Sequence, residues 1–373
     1  MKILVTGSNG FIAKNLIQFL SEKSDIQILP YHRQSTDEDL IQAVTNADWI
    51  IHVAGANRPV TEQEFMDTNV TLTERICQIL VNAKKRTPLI LSSSIQVERE
   101  TLTTYGQSKL AGESAVEKLQ KANGNPVYIC RLANVFGKWS KPNYNSAVAT
   151  FCHNVIHDLP VEIHQADAEI RLVYVDDVVD TFWQIIQGQY QPSTAPFYIQ
   201  PEYKITVAGL YEQLKTFKNS RNTLITENVG TGLVRALYST YLSFLPPAQF
   251  TYNVPKYGDA RGVFVEMLKT QSAGQFSYFS AHPGITRGGH YHHTKTEKFL
   301  VIKGKALFKF KHIVTGETYQ LETNGEHPTI VETVPGWSHD ITNIGDEEMF
   351  VMLWANEIFD REKPDTYAMP LKD

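Results

Sequence analysis

Cysteine is scarce: Cys77, Cys130 and Cys152 are the only three among 373 residues, and no Cys-x-x-Cys spacing occurs. That excludes a disulfide framework and predicts ordinary core cysteines in a reducing compartment. Long apolar runs are lacking too; no window approaches the roughly 20 residues of a membrane span. The N-terminus shows no charged leader or small-residue cleavage site, so a cytoplasmic protein with no membrane partner is expected. Charge is modest, a formal net of −5 with a pI near 6.2, and nothing in it argues for binding nucleic acid. Repeats, low-complexity segments and charge blocks are absent as well. What is present is 42% hydrophobic residues, ample for packing, on a chain longer than one core usually serves. Two domains and a small-molecule enzyme are the expectation.

From Met1 to about Gln200, apolar β-rich runs ("KILVTG", "IQILPYH", "ADWIIHVAG", "TPLILSSS", "PVYICRLANV") alternate with amphipathic stretches. That rhythm predicts parallel βαβ units. In "FIAKNLIQFLSEK" the apolar residues Phe11, Ile12, Leu16, Phe19 and Leu20 share one helical face. A more helical region follows Thr206, and Pro246 and Pro247 then interrupt helix and strand alike. The domain boundary is placed there, giving domains 1–245 and 246–373. Beyond it come short strands with turns ("RGVFVEMLK", "GQFSYFSAHPG", "EKFLVIKGKALFKF", "EEMFVMLWANE"), which predict an antiparallel sandwich or small barrel.

"VTGSNGFIA" puts Gly7 and Gly10 between a strand and a helix. A tight turn, close backbone approach to a pyrophosphate and an anion on the helix N-terminus follow from that placement. The second strand ends in "YHRQS", so His32 and Arg33 stand where an acidic residue would hold the ribose hydroxyls of NAD. Basic groups there favour a 2'-phosphate, and the expected cofactor is NADPH. "SSS" and "TTYGQSK" supply Ser94, Tyr105 and Lys109. Tyr105 and Lys109 are four apart and share a helical face, where the ammonium would favour the phenolate. Tyr105 is the candidate proton donor to a carbonyl under reduction, with Ser94 on the same oxygen and Lys109 on a cofactor ribose.

Together "TGSNGFIA", "HVAGAN", "TNVTLT", "SSS", "YGQSK", "RLANVFG" and "RLVYVDDVV" resemble the extended short-chain dehydrogenases/reductases that modify nucleotide sugars. The resemblance implies a Rossmann-type α/β domain in which Ser94, Tyr105 and Lys109 are catalytic and Asn69 supports the proton relay. It further implies cofactor contacts from Gly7, Gly10, Phe11, Ile12, His32, Arg33, Ala54, Gly55, Tyr105 and Lys109, and substrate contacts from Asn134 and from Arg171, which meets the diphosphate. A 4,6-dehydratase would carry an Asp-Glu pair after the catalytic hydroxyl, where Ile95 and Gln96 stand.

At the other end, His290 and His292 are two apart, so on a strand both rings project from one face. Glu297 lies at odd offset from either and would point away from a continuous strand, so "HTKT" must bend if all three converge. His339 is the fourth candidate ligand. Three imidazoles and a carboxylate suit a divalent metal, and nitrogen-rich ligation favours Zn or Fe over Mg or Ca, with Zn foremost. His293 reads as a bystander. Gly284, His290, His292, Glu297 and Gly304 reproduce the spacing of the first cupin motif, and Pro335-Gly336, His339 and Asn343 resemble the second. This resemblance implies an all-β double-stranded helix, or jelly roll, of the kind that epimerises nucleotide-linked keto-sugars. Tyr291, Lys303 and His312 are candidates for its base, and Arg287 for a phosphate contact.

Chemistry orders the two sites, because removing a proton beside a ketone is possible only while the ketone exists, and reduction destroys it. Both domains in this order resemble the bifunctional capsular polysaccharide enzymes of the UDP-N-acetyl-L-fucosamine pathway. That implies a homodimer acting on a UDP-linked 2-acetamido-2,6-dideoxy-4-keto-hexose: 3-epimerisation in the cupin, then NADPH-dependent reduction of the 4-keto group to a UDP-N-acetyl-talosamine-type sugar. The alternatives are a single-activity reductase whose cupin serves only dimerisation, or a nucleotide-binding sensor. Loss of Tyr105 or Lys109 would mark the sensor, and both are present.

Overall fold

The computed structural model describes residues 1–57, 61, 63–259, 262–265, 268–270, 274–357 and 362–371. It divides into two compact units, Met1–Ala147 with Glu169–Ile205, and Val148–Ala168 with Thr206–Asp373. Contacts thus group residues 206–245 with the C-terminal unit, whereas the sequence marks its boundary at the two prolines.

In the first unit six parallel strands lie in the order 27–31, 2–6, 49–52, 89–94, 127–132 and 193–198. The central strands 2–6, 49–52 and 127–132 are mostly apolar because both sheet faces are covered there. Alternation then sorts their side chains. Ile3, Val5, Ile51 and Ile90 pack with Leu16 and Leu20 of helix Phe11–Ser21 and with Val178 and Phe182 of helix Val175–Ile186. Leu4, Ile50, Leu89 and Leu91 pack on the other face with Leu40, Ile76, Leu80, Val116 and Leu119. Truncating a residue such as Leu16 to alanine would cost about 2–5 kcal/mol. Cys77, Cys130 and Cys152 are free and buried. Strand order reverses between 2–6 and 49–52, which opens a crevice at the carboxyl ends of the strands.

The second unit is a sandwich of two five-stranded antiparallel sheets, with strand orders 251–253, 329–332, 297–303, 349–355, 275–281 and 318–324, 305–312, 337–343, 286–291, 367–368. Helices Val207–Thr223 and Gly232–Ser243 belong to the same unit. Of the strand expected over "RGVFVEMLK", Gly262–Val265 is found, and 261 and 266–267 lie outside the described residues. An α/β Rossmann-type sheet and an all-β jelly roll of the cupin type are therefore the two architectures, as the motifs led one to expect.

Candidate active site and candidate metal centre

The glycine turn is fixed by contacts only glycine allows. Gly7 has φ +66°, and a Cβ on it would stand 2.8 Å from Ala54 Cα. The Gly10 amide donates to the Gly7 carbonyl at 2.7 Å, and Gly10 caps helix Phe11–Ser21. Ser8 Oγ is buried and finds no hydrogen-bond partner among the described residues. A backbone cradle, an orphaned hydroxyl and a helix N-terminus together fit the pyrophosphate of a dinucleotide. The turn opens on a cavity of about 580 Å³ lined also by Phe11, Ile12, Gly55, Ser94, Tyr105, Lys109 and Asn134. Lys14, Lys109 and Lys141 line it and, among the described lining residues, no carboxylate does, a charge balance suited to anionic ligands.

Strand Leu89–Ser94 delivers Ser94, and helix Thr104–Asn123, capped by the Thr103 hydroxyl, delivers Tyr105 and Lys109. Ser94 hydrogen-bonds the Tyr105 phenol, and burial raises that phenol above its usual value. The Lys109 ammonium lies 6.0 Å from the Tyr105 ring centroid and donates to the Ser92 carbonyl at 3.1 Å. Burial lowers its pKa to about 8, against the pull of Glu113. With its pKa raised by burial, Tyr105 holds its proton, the state a proton donor needs. Asn69, on the π-helical turn Met66–Thr71, accepts from the Ala56 amide at 2.9 Å and donates to Ser108 Oγ at 2.9 Å. Ser108 in turn donates to the Tyr105 carbonyl at 2.8 Å. His52, buried and pushed down to about 3 by desolvation and Lys109, bridges Thr6 and Thr73 at 2.7 and 2.8 Å.

Other expected residues are elsewhere. His32 and Arg33 follow the strand Gln27–Tyr31, whose Tyr31 carbonyl accepts from the Ser8 amide at 3.1 Å, and neither lines the cavity. Arg171 is also outside it: its Nε and Nη2 grip Glu202 at 2.7 and 2.8 Å. Asn134 does line the cavity and donates to the Arg171 carbonyl at 2.8 Å.

In the second unit the structure brings His290, His292, Glu297 and His339 together, with ligand-type atoms all within 4.8 Å of one another. Gly288 and Gly289, at φ +101° and +74°, form a register shift that sets His290 opposite His339 on the neighbouring strand. Glu297 comes from the facing sheet, its Oε2 3.1 Å from His292 Nε2 and 3.5 Å from His339 Nε2. Both ring nitrogens of His339 are buried and without a hydrogen-bond partner among the described residues. Burial and the neighbouring histidines push His290 down to about 4. Glu297 is held well below the carboxylate range by His292 and His339, although burial alone would raise it. Three converging imidazoles, two of them on His290 and His339 with pKa values lowered by burial, around an ionised carboxylate fit a divalent ion that prefers nitrogen.

Of the candidate bases, Lys303 pairs with Glu347 at 3.0 Å, His312 Nδ1 accepts the amides of Val314 and Thr315, and Tyr291 stacks on Tyr367 at 5.5 Å. His293 packs on Tyr367 and Tyr291 at 4.9 and 5.6 Å, and Arg287 is exposed over Phe279. Sequence reasoning missed Lys295, whose buried Nζ lies 3.4 Å from Glu297 Oε1, and Asp365, which accepts the amide of His293 at 2.8 Å. Lys295 stands at an unassigned position inside the first cupin spacing and Asp365 lies far along the chain, so spacing carried no signal for them.

A family profile described as "NAD dependent epimerase/dehydratase family" matches residues 3–194, and "Polysaccharide biosynthesis C-terminal domain" matches residues 257–367. The chain is 55% identical over 368 residues, 99% of its length and 98% of the relative's, to a Pseudomonas aeruginosa protein named UDP-2-acetamido-2,6-beta-L-arabino-hexul-4-ose reductase. It is 31% identical over 223 residues, 52% of its length and 73% of the relative's, to GDP-6-deoxy-D-talose 4-dehydrogenase of Aggregatibacter actinomycetemcomitans. Among solved structures, the capsular polysaccharide assembling protein CapF from Staphylococcus aureus matches over the full length of both chains with a TM-score of 0.68 at 38% identity. No helix among the described residues is long and apolar enough to cross a membrane.

Proposed function

The chain belongs to the NAD dependent epimerase/dehydratase family, and on that premise we propose that it is a bifunctional nucleotide-sugar enzyme of polysaccharide synthesis. Its substrate is a UDP-linked 2-acetamido-2,6-dideoxy-4-keto-hexose; its jelly roll epimerises carbon 3 and its Rossmann-type unit reduces the 4-keto group to a talosamine-type sugar. The name of the Pseudomonas relative supports a 4-keto reductase, and His32 and Arg33 beside the glycine turn support NADPH over NADH. A homodimer in the cytoplasm is part of the same reading. The observation that carries it is the Ser94-hydrogen-bonded, proton-holding phenol of Tyr105 inside an acid-free cavity next to the glycine cradle.

NADPH, when bound, supplies the hydride. Tyr105 gives its phenolic proton to the oxygen of the carbonyl under reduction, and Ser94 donates to the same oxygen. Lys109, anchored on the Ser92 carbonyl, holds the cofactor ribose. Asn69 and Ser108 tie the first turn of the Tyr105 helix to the loop after strand Trp49–His52, which fixes the phenol's direction. In the jelly roll, His290, His292, Glu297 and His339 would hold a divalent metal, Zn foremost, which would supply Lewis-acid polarisation of a carbonyl. These four residues would act as ligands, so the proton at carbon 3 would go to another group.

Incubation of the pure chain with the UDP-4-keto-sugar in deuterated water, with and without NADPH, tests the reading by NMR. Deuterium should enter at carbon 3 without NADPH, and the alcohol should form only with it. Reduction with no exchange under any condition would leave the reductase alone standing.

A further inference from the structure

Residues 362–371 touch each stretch of chain that carries a histidine of the cluster. The Asp365 carboxylate accepts four hydrogen bonds from the bend that follows His292. Oδ1 takes the His293 amide at 2.8 Å, and Oδ2 takes the Thr294 amide at 2.7 Å, the Thr294 hydroxyl at 3.0 Å and the Lys295 amide at 2.6 Å. The Asp365 backbone carbonyl meets His292 Nδ1. Tyr367 and Ala368 pair antiparallel with Tyr291 and His290, and the Met369 amide donates to the Gly289 carbonyl at 2.7 Å. Ser338, beside His339, donates its hydroxyl to the Met369 carbonyl at 2.6 Å.

We propose that Asp365 is a positioning residue for the divalent-metal centre, holding the bend without which Glu297 cannot join the histidines. This rests on the reading of the cluster as a metal site. On a continuous strand Glu297 would turn away from the face shared by His290 and His292. One ionised carboxylate collecting three consecutive amides replaces the strand ladder at 293–295 and keeps those buried donors satisfied. The chain re-enters the sheet at Glu297 with its carboxylate turned inward. The same residue's carbonyl takes the proton of His292 Nδ1, so the Nε2 lone pair is the one presented to the cluster. Lys295, fixed by its amide on Asp365 and by Nζ on Thr366 Oγ1 at 3.1 Å, faces Glu297 Oε1 and leaves Oε2 toward His292 and His339. A cap that merely stopped the bend from fraying would need none of these alignments.

The test uses the full chain, with zinc affinity read by competition against a chromophoric chelator, the visible spectrum of the cobalt(II) form, and NADPH binding by fluorescence in the same preparations. Wild type that takes up no zinc would sink the metal reading itself, before Asp365 is in question. With zinc bound by wild type, Asp365→Ala should lose tenfold or more in zinc affinity and alter the cobalt spectrum, with NADPH affinity unchanged. Asp365→Asn, which keeps the shape but turns an NH2 toward the amides, should fall between. Wild-type zinc affinity and cobalt spectrum in Asp365→Ala would overturn the proposal. So would a parallel loss of zinc and NADPH binding in both variants, since that marks a general loss of fold.

Discussion

The two sites are assembled over different lengths of chain, and they are vulnerable in different ways. Tyr105 and Lys109 share one helix and Ser94 ends the strand just before it, so local spacing sets most of their relation. The candidate metal-ligand cluster draws on two facing sheets and a segment near residue 365, and a glycine bulge and a capped bend lie between its members. Their electrostatics differ as well. The first buries a cation whose pKa has fallen to about 8; the second surrounds one ionised carboxylate with three imidazoles. A site built on local spacing should lose one chemical step to one substitution, whereas a convergent site should also fail through residues that never touch substrate.

The sharpest separation of the two comes from paired variants. Tyr105→Phe removes the proton donor and should lower NADPH oxidation by about 10²–10⁴-fold, with deuterium exchange beside the ketone unaffected. His290→Ala should abolish the exchange and spare reduction of a sugar supplied already epimerised. If either change eliminated both activities in a chain that still binds NADPH, the division of labour would be wrong.

A smaller effect is expected at the glycine cradle. Gly7→Ala places a Cβ 2.8 Å from Ala54 Cα at φ +66°, a conformation costing roughly 1–3 kcal/mol for a residue with a side chain. NADPH affinity should fall by tenfold or more while zinc affinity stays at the wild-type value. Loss of both would mean that the units do not fail separately.

Next comes pH. Lys109 titrates near 8, below its ordinary 10.5, because burial disfavours its charged form. It is thus an ammonium below that value and neutral above it. Reduction that needs the charge should decline as pH rises through about 8, and Lys109→Met should flatten that limb at a low rate. Tyr105 moves the other way, its pKa raised by burial, so it does not lose its proton in that window. His52, down near 3, contributes no limb between pH 5 and 9. A profile unchanged in Lys109→Met would assign the limb to another group.

Much of this was readable from sequence because the physics behind it is local. Parallel strands buried on both faces must be apolar runs, and Ile3, Leu4 and Val5 are; the i, i+4 pair Tyr105 and Lys109 needs only a helix. The second unit was readable through the glycines of its motifs, since Gly284, Gly304 and Gly336 all take positive φ. Illegible were the effects that need tertiary partners. Spacing said that a bend must lie between His292 and Glu297, yet the carboxylate that makes it stands at Asp365. Burial of Lys109 and Tyr105, which lowers the one pKa and raises the other, depends on packing that no motif encodes.

Arg171 yields the smallest predicted effect and the finest cut between local motif and tertiary context. By motif it meets the diphosphate; by geometry it offers both fork nitrogens to Glu202 and lies outside the cavity, while Lys141 on the cavity wall has no acid beside it among the lining residues. Releasing a guanidinium from a bidentate carboxylate forfeits two charge-assisted hydrogen bonds, and what it gains on a solvated diphosphate is of the same kind. Arg171→Met should therefore raise KM for the nucleotide sugar less than tenfold and, the pair being partly exposed, change stability by about 1 kcal/mol or less. Lys141→Met should raise KM more, with kcat little changed in both. A hundredfold rise in Arg171→Met, matched by tighter substrate binding in Glu202→Gln, would show instead that the guanidinium leaves Glu202 when substrate arrives, and that here the motif outranks the resting geometry.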